Sequence, residues 1–310
     1  MSWFVDPWNP SHGASFEAGT GPDSRSSADV DLDVELPTGA WNARRAPGDV
    51  RAAGAVLLVD GVRRIDATVW TAEPDGGSLP GLAASYAAGI VRCDLRGGTA
   101  DLVAGEVRRG VFTASPTAGD LVTRHATYTR HRVQRGELEQ LPAAVQGPLT
   151  ALEVAVTGAA ADADLVVVDG KLGGREAAAT TIGYIKTQHR MYLPPAQAAL
   201  VARLAAGERT PVFRIGDRWP SLSWYLRLPG PRGGPWAGVV RVECAAALPL
   251  PEAVRLADLS QVTLPLLASQ AYKDPRAPQN LTPIAGLERR LRRLLGDGRL
   301  LHRAMSLAAG

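Results

Sequence analysis

The sequence predicts an α/β fold, a mixed sheet with helices on both faces that begins with an antiparallel meander. Strand-like segments separated by turns come first, between residues 54 and 114. A continuous apolar run follows at 164–170, DLVVVDG, which is typical of a central parallel strand buried on both faces. After it, helix-like and strand-like segments alternate as far as residue 298. That order of elements is expected of a mixed sheet covered by helices.

Composition excludes several classes of protein. With 310 residues, of which 45% are apolar, the chain can bury a full core as one large domain or two small ones. No apolar run reaches the ~20 residues of a membrane-spanning helix, and the start, MSWFVDPWNPSHG, lacks a signal-peptide pattern. We therefore expect no membrane segment and a cytoplasmic location. Cys93 and Cys244 have no partner spacing for a metal knuckle or a disulfide framework.

Residues 1–45 are predicted to form an N-terminal arm, partly extended or docked, and residues 46–310 the main domain. The arm is rich in Gly, Ser, Pro and Asp up to about residue 28, a composition typical of a loose segment. Trp3, Phe4 and Trp8 indicate that part of it docks on its own domain or on a second subunit.

The elements of the first half are mostly strands. VDLDVELP at 30–37 alternates apolar and acidic residues and predicts an exposed edge strand. Residues 54–74 predict a strand, an Asp-Gly turn and a second strand. Residues 85–114 continue with a strand, a Gly-Gly turn and one or two further strands. These segments together make the expected meander.

The second half alternates helices and strands. A helix is expected over 137–159, where Pro142 and Pro148 bend or divide it. The last predicted helix carries four leucines on one side, namely Leu287, Leu291, Leu294 and Leu295. Further strands are expected at 180–194, 211–219, 223–230 and 236–248, and further helices at 194–210 and 281–298.

Two Asp-Gly pairs end apolar runs about a hundred residues apart, at Asp60 in LLVDGVRR and at Asp169 in LVVVDGKLGG. If the two strands are neighbours, the carboxylates lie close together and repel, and a divalent cation such as Mn²⁺ or Mg²⁺ offsets the repulsion. Glu153, on an apolar turn of the preceding helix, supplies a third acid. The alternative is that each Asp-Gly is a turn, since this pair is a common turn signal. Spacing alone leaves both interpretations open.

The motifs LLVDGVRR, LTALEV, LVVVDGKLGG, IGYIKT and VVRVE resemble the NurA family of nucleases, whose fold is RNase H-like. The resemblance covers residues 52–295 and implies hydrolysis of DNA phosphodiester bonds at a catalytic metal site. Carried over to this chain, the metal ligands are Asp60, Glu153 and Asp169. It also implies a role in processing double-strand breaks, a HerA-type hexameric ATPase as partner, and a homodimer.

The chain departs from the NurA pattern at two places. Serine usually follows the family's Asp-Gly pairs, and Val62 and Lys171 take those positions here. The family's last motif carries a histidine, where this chain has Ala285 or Gly286 in YKDPRAPQNLTPIAGLE. Asn280 is the substitute we predict as the last metal ligand.

Basic residues give the expected DNA contacts. Lys186 is predicted to neutralise charge on the phosphate during hydrolysis. It is one of only three lysines among 34 basic residues, and lysine provides a compact, orientable ammonium where arginine is the default cation. Tyr128 is expected to stack on a base. The predicted phosphate-binding arginines are Arg124, Arg289, Arg290, Arg292 and Arg293.

Two other functions remain open on the sequence. The missing histidine favours a NurA-like scaffold or regulator of a DNA translocase with weakened catalysis. Paired strand-Asp-Gly turns also occur in small-molecule kinases of the actin-like fold, although their phosphate loops generally need more Gly, Ser and Thr than the VRR that follows Gly61.

Overall fold

The structure, a computed structural model, divides the chain into two compact units. The described residues are 8, 28–134, 138–158, 163–175, 179–216, 218–230 and 233–308. Unit 1 lies within residues 1–58, 92–100 and 162–285, and unit 2 within 59–91, 101–161 and 286–310. Each unit is therefore assembled from three separate segments of the chain. Trp3 and Phe4 of the predicted arm lie outside the described residues.

The described elements are a mixture of strands and helices, which confirms the α/β class. The strands are β1 Asp29–Asp31, β2 Ala55–Ala72, β3 Ser78–Asp94, β4 Thr99–Thr113, β5 Leu121–Val122, β6 Thr127–Arg132, β7 Leu165–Asp169, β8 Thr181–Ile185, β9 Phe213–Gly216, β10 Ser221–Arg227 and β11 Val239–Ala245. The helices are α1 Leu141–Ala144, α2 Gln146–Gly158, α3 Pro195–Arg203, α4 Leu250–Leu267, α5 Thr282–Leu294 and α6 Gly298–Ala308. Within the described part of the chain, no helix combines the length and apolar character that crossing a membrane requires.

Unit 1 contains the strands β1, β9, β10, β11, β8 and β7 in that order. Their pairings are antiparallel, except that β7 and β8 run parallel, with Asp169 opposite Tyr184. The apolar run VVV of β7 is buried, so the prediction of a parallel buried strand is confirmed. The short strand β1 pairs with β9, Val30 opposite Ile215, so the strand predicted at 30–37 is confirmed at its start. Residues 32–37 are not part of a strand.

Two features hold unit 1 together. Phe213, Tyr225 and Val201 belong to a buried apolar cluster that joins the β9–β10 strands to α3. Trp8 is also buried, and its indole N–H donates a 2.9 Å hydrogen bond to the side chain of Gln279. The one described residue of the first 27 is therefore docked on its own unit.

Unit 2 contains most of the long strands β2, β3 and β4, which follow one another in the chain and are hydrogen-bonded neighbours in the order β2-β3-β4-β6-β5. Leu287, Leu291 and Leu295 of the α5 region pack on Val62 and Ala87. The predicted apolar side of this helix is confirmed for these three leucines and is wrong for Leu294, which is 45% exposed.

Two expectations about local structure are wrong, and two helices were missed. No turn interrupts residues 54–74, because β2 runs as a single strand through Asp60 and Gly61. The helices α4 and α6 were not predicted. Tyr128 is fully buried, and its hydroxyl donates a 2.9 Å hydrogen bond to Asp66. Burial, followed by the charge of Asp66, raises the pKa of Tyr128 to about 12, so this side chain is a core residue and not a stacking platform for DNA.

Candidate metal and DNA-binding site

Asp60 of unit 2 lies in the middle of β2, on a buried stretch of the strand. Its side chain is 8% exposed, and its Oδ1 accepts a 2.7 Å hydrogen bond from the backbone N–H of Gly61. A strand residue has few conformations open to it, so the carboxylate is held in a fixed direction. This Asp-Gly pair is therefore not a turn, because β2 continues through it.

Position 61 requires a glycine, because the neighbouring side chains leave no room for a Cβ atom. A Cβ atom at this position would lie 2.5 Å from Oε1 of Glu153 and 2.7 Å from Cδ1 of Leu149. Both neighbours belong to α2, so the glycine lets the helix approach the strand closely. Glu153 itself is 4% exposed and lies on the buried face of α2 beside Leu152. The structure thus brings the carboxylate of Glu153 against the residue that follows Asp60.

We expect Gly61→Ala to destabilise the protein by about 1–3 kcal/mol, because an added methyl group in a packed site forces its neighbours to move. Chemical denaturation of the variant and the wild type measures the change. Gly119→Ala is the matched control, since a Cβ at Gly119 meets nothing within 4 Å. Equal stability of the two variants would contradict the close approach of α2 to Gly61.

Glu288 of α5 is a further acid in unit 2. Carboxylate oxygens of Asp60 and Glu288 lie within 4.8 Å of one another, with Asp60 buried and Glu288 half-buried. Glu288 follows Leu287 and lies four residues after the buried Ile284, so it occupies the edge of the helix's apolar face. An acid in that position of an amphipathic helix is the signal that would have identified it from sequence.

Asp169 of unit 1 is the last residue of β7, and the Gly170 that follows has a φ of 95°. This Asp-Gly pair does end its strand, because a left-handed backbone cannot continue it. Nζ of Lys186 lies 2.6 Å from Oδ2 of Asp169, and both side chains are mostly shielded from solvent, with 15% and 12% exposed. Lys186, predicted from sequence to neutralise charge on the phosphate, therefore lies beside Asp169 within this unit.

Asn280 is fully buried beside that ion pair. Its Oδ1 accepts a 3.3 Å hydrogen bond from Nζ of Lys186, and its Nδ2 donates a 2.6 Å bond to Asp274. The hydroxyl of Tyr184 donates a hydrogen bond to the backbone carbonyl of Gln279, the residue that precedes Asn280. Burial, then the charge of Asp169, raises the pKa of Tyr184 well above its usual value. Asp169, Lys186 and Asn280 thus form one polar cluster in unit 1.

Glu243 of β11 supports the loop that follows Asp169. Its Oε1 accepts a 2.7 Å hydrogen bond from the backbone N–H of Leu172, and its Oε2 lies 2.6 Å from Nη1 of Arg241. Arg241 and Glu243 are both buried. Glu243 therefore has a structural role in holding this loop.

The arginines of α5 lie on the side opposite its buried leucines. Each of the predicted phosphate contacts in the described chain is exposed, namely Arg124, Arg289, Arg290, Arg292 and Arg293. Four of them fall within two turns of one helix, and this face of α5 is called the α5 basic stripe below. Tyr128, the residue predicted to stack on a base, is buried and does not lie on an exposed basic surface.

Comparison with known proteins gives limited information. The chain matches no protein-family model and no curated protein. Among solved structures, it is similar to crystal structures of Ciona intestinalis endonuclease V in complex with inosine-containing DNA, at 11% and 9% identity. The alignments cover 82% of this chain and 90% or 91% of the other, with TM-scores of 0.33. At that score the likeness does not bear on what this chain binds or hydrolyses.

Proposed function

We propose that the chain is a metal-dependent DNA nuclease with an RNase H-like core, which hydrolyses phosphodiester bonds during the processing of double-strand break ends. The observation that carries the proposal is the approach of the Asp60 and Glu288 carboxylates to within 4.8 Å in unit 2. Two negative charges at such a distance in a partly buried place repel each other, and a bound divalent cation would offset that repulsion.

The donor set fits Mn²⁺ or Mg²⁺, since these cations prefer carboxylate and amide oxygens. The residues that would hold the metal are Asp60, Glu153, Asp169 and Asn280, as the sequence indicates, together with Glu288. A divalent cation, when bound, supplies activation of a water molecule and stabilisation of the leaving oxygen.

Lys186 has the second chemical role in the proposal. Its ammonium is buried beside Asp169 and is held in place by the 3.3 Å bond to Asn280. In that position it would neutralise charge that develops on the phosphate. The buried hydrogen bond from Asn280 to Asp274 fixes the amide, and so fixes the direction of the lysine. Asn280 thus acts as a positioning residue for Lys186 as well as a metal ligand.

Removal of the metal should abolish hydrolysis. Purified protein incubated with single-stranded or double-stranded DNA is expected to digest it with Mn²⁺ or Mg²⁺ and to leave it intact with EDTA, as followed by gel electrophoresis. Addition of excess Mn²⁺ to the EDTA sample should restore digestion. Digestion that continues undiminished in EDTA would exclude a metal-dependent nuclease.

We infer that the α5 basic stripe contacts the DNA backbone. Each arginine that pairs with a phosphate releases condensed counterions, which steepens the salt dependence of binding. Replacing both Arg289 and Arg292 with Ser should weaken binding and flatten the slope of log K against log salt by about 0.9 per lost contact.

Fluorescence anisotropy with labelled DNA in EDTA measures this slope without hydrolysis. Arg255→Ser is the control, because Arg255 is a half-exposed arginine of α4 that pairs with Glu252. A slope unchanged by the double substitution would exclude the stripe from the DNA contact.

A second candidate function is a scaffold or regulator of a DNA translocase without catalysis. It is favoured by the 2.6 Å ion pair between Lys186 and Asp169, which neutralises that carboxylate without a metal. The two functions share the proposed partner, a HerA-type hexameric ATPase, and the proposed homodimer. Protein that binds DNA and the ATPase but digests no DNA with Mn²⁺ would be the scaffold.

A further inference from the structure

Unit 1 contains a cavity of about 490 Å³ beside the ends of β7 and β8. The two strands run parallel and end on the same side, so the residues that follow both of them form its wall. Its volume lies in the range of about 300–1,000 Å³ typical of small-molecule sites. The charged and aromatic side chains in the wall include Asp169, Lys171, Lys186, Arg190, Tyr192 and Arg241.

The cavity wall is strongly cationic. It includes two lysines and two arginines, whereas Asp169 is the single carboxylate among its described lining residues. The deeper cations, Lys186 and Arg241, are held by buried ion pairs with Asp169 and Glu243. Lys171 and Arg190 lie at the exposed rim. A concave wall with this excess of positive charge concentrates the field and attracts an anion.

Lys171 is held at the rim by an aromatic side chain. Its Nζ donates a 3.2 Å hydrogen bond to the hydroxyl of Tyr192 and lies 5.8 Å from the centre of that ring. The guanidinium of the buried Arg241 lies 5.1 Å from the same ring. Arg241 thus holds the ring of Tyr192 through a cation–π contact, and the hydroxyl of Tyr192 in turn orients the ammonium of Lys171. A directed ammonium loses less freedom when it binds a ligand than a mobile one.

We propose that this cavity is a subsite for a nucleotide phosphate, in which Lys171 and Arg190 bind the phosphate and Tyr192 positions Lys171. The choice of a nucleotide rests on the proposed nuclease function. Lys171 lies two residues after Asp169, so a phosphate bound there neighbours the bond that is hydrolysed. The cavity has room for one nucleotide and not for a duplex. It is therefore a site for an unpaired nucleotide of a DNA strand.

Titration calorimetry of the full chain in EDTA tests the subsite without hydrolysis. Deoxyadenosine 5′-monophosphate should bind, and deoxyadenosine, which lacks the phosphate, should bind at least about tenfold more weakly, the usual effect of losing a charged hydrogen bond. Lys171→Met should lower the affinity for the nucleotide by about the same factor. Lys171→Arg, which keeps the charge, should retain more of it than Lys171→Met.

The chain offers a closely matched control. Lys273 is also a lysine of unit 1 that lies over a tyrosine ring, 5.2 Å from the centre of Tyr272, but it is exposed and outside the cavity wall. Lys273→Met should therefore leave nucleotide binding unchanged. Equal affinity of the two methionine variants, equal binding of nucleoside and nucleotide, or no binding of the nucleotide would each overturn the subsite.

A short single-stranded oligodeoxynucleotide provides the last arm of the test. It should displace the bound mononucleotide from the wild type, since the subsite serves a strand, and failure to displace it would contradict that role. These measurements are independent of catalysis. If Lys171→Met loses nucleotide affinity while the wild type digests no DNA with Mn²⁺, the subsite stands and the nuclease proposal fails. Digestion of DNA without any mononucleotide binding would instead support the nuclease and overturn the subsite.

Discussion

Asp60→Asn is expected to reduce Mn²⁺-dependent hydrolysis of DNA by about 10³-fold or more, because a metal site supplies several kcal/mol of transition-state stabilisation. Asparagine keeps the shape of the side chain and removes the charge that holds the cation. Its Oδ1 can still accept the 2.7 Å bond from Gly61, so the local structure should persist. Initial rates of digestion over a range of Mn²⁺ concentrations give the measurement.

The dependence on metal concentration separates two causes of a loss. A weakened metal site should need more Mn²⁺ to reach half of its maximal rate, whereas a misfolded variant should lose activity at every concentration. Glu288→Gln should show the same shift, since its carboxylate lies within 4.8 Å of that of Asp60. Asp169→Asn tests a further predicted ligand in the same assay.

Asp75→Asn is the control for these variants. Asp75 and Gly76 form a true Asp-Gly turn in unit 2, in which Oδ1 of Asp75 accepts a 3.0 Å bond from the N–H of Gly77 and Gly76 has a φ of 82°. It is an exposed carboxylate of the same sequence type. Wild-type rates in Asp60→Asn would refute the metal site, whereas a loss in Asp75→Asn as well would show that the effect is not specific.

Arg209→Met is expected to cost about 3–5 kcal/mol of the free energy of unfolding, because it leaves Asp258 without its cation and Glu35 with only Arg44, at 3.5 Å. The side chain of Arg209 is 1% exposed and lies 2.8 Å from Glu35 and 2.7 Å from Asp258. Burial favours the neutral form, but bonds and charges of Glu35 and Asp258 outweigh it and raise the pKa of Arg209. The arginine therefore joins the segment after β1 to helix α4.

Urea denaturation of the variant and the wild type measures this loss. Arg255→Met is the control, since its ion pair with Glu252 is half exposed on both sides and should contribute about 1 kcal/mol or less. A stability of Arg209→Met equal to that of Arg255→Met would show that the buried network adds nothing. Replacing Asp258 with Asn in the Arg209→Met background should recover part of the loss, because it removes the charge that the arginine had neutralised.

The parts of the fold that sequence predicted are those with a regular apolar period. The buried run of β7 and the leucines of α5 are examples, since local pattern and tertiary burial agree there. Helix α4 was missed because its buried face carries polar residues, among them Asp258 and Gln261, and because Pro265 lies inside it. These residues are satisfied by distant partners, such as Arg209, which no local pattern reveals.

The candidate site residues, like the fold, could be predicted only where a local apolar pattern marks them. The apolar runs before Asp60 and Asp169 identified both carboxylates as candidates, but a turn signal could not show that Gly61 is needed for contact with α2. Tyr128 lies in a basic segment that predicts a surface residue, although strand alternation in β6 turns it towards the core. Glu288 was missed because it stands beside four arginines, although its place four residues after Ile284 puts it at the edge of the apolar face of α5.

The interleaving of the two units also has a consequence for biosynthesis. Unit 1 uses residues from the beginning, the middle and the 162–285 region, and unit 2 is completed only by residues 286–310. During synthesis on the ribosome, the segments of each unit that emerge first therefore cannot complete their packing until the later segments of the same unit have emerged. Neither unit corresponds to one contiguous stretch of coding sequence, so gene fission at any point from residue 60 to residue 284 would divide both units.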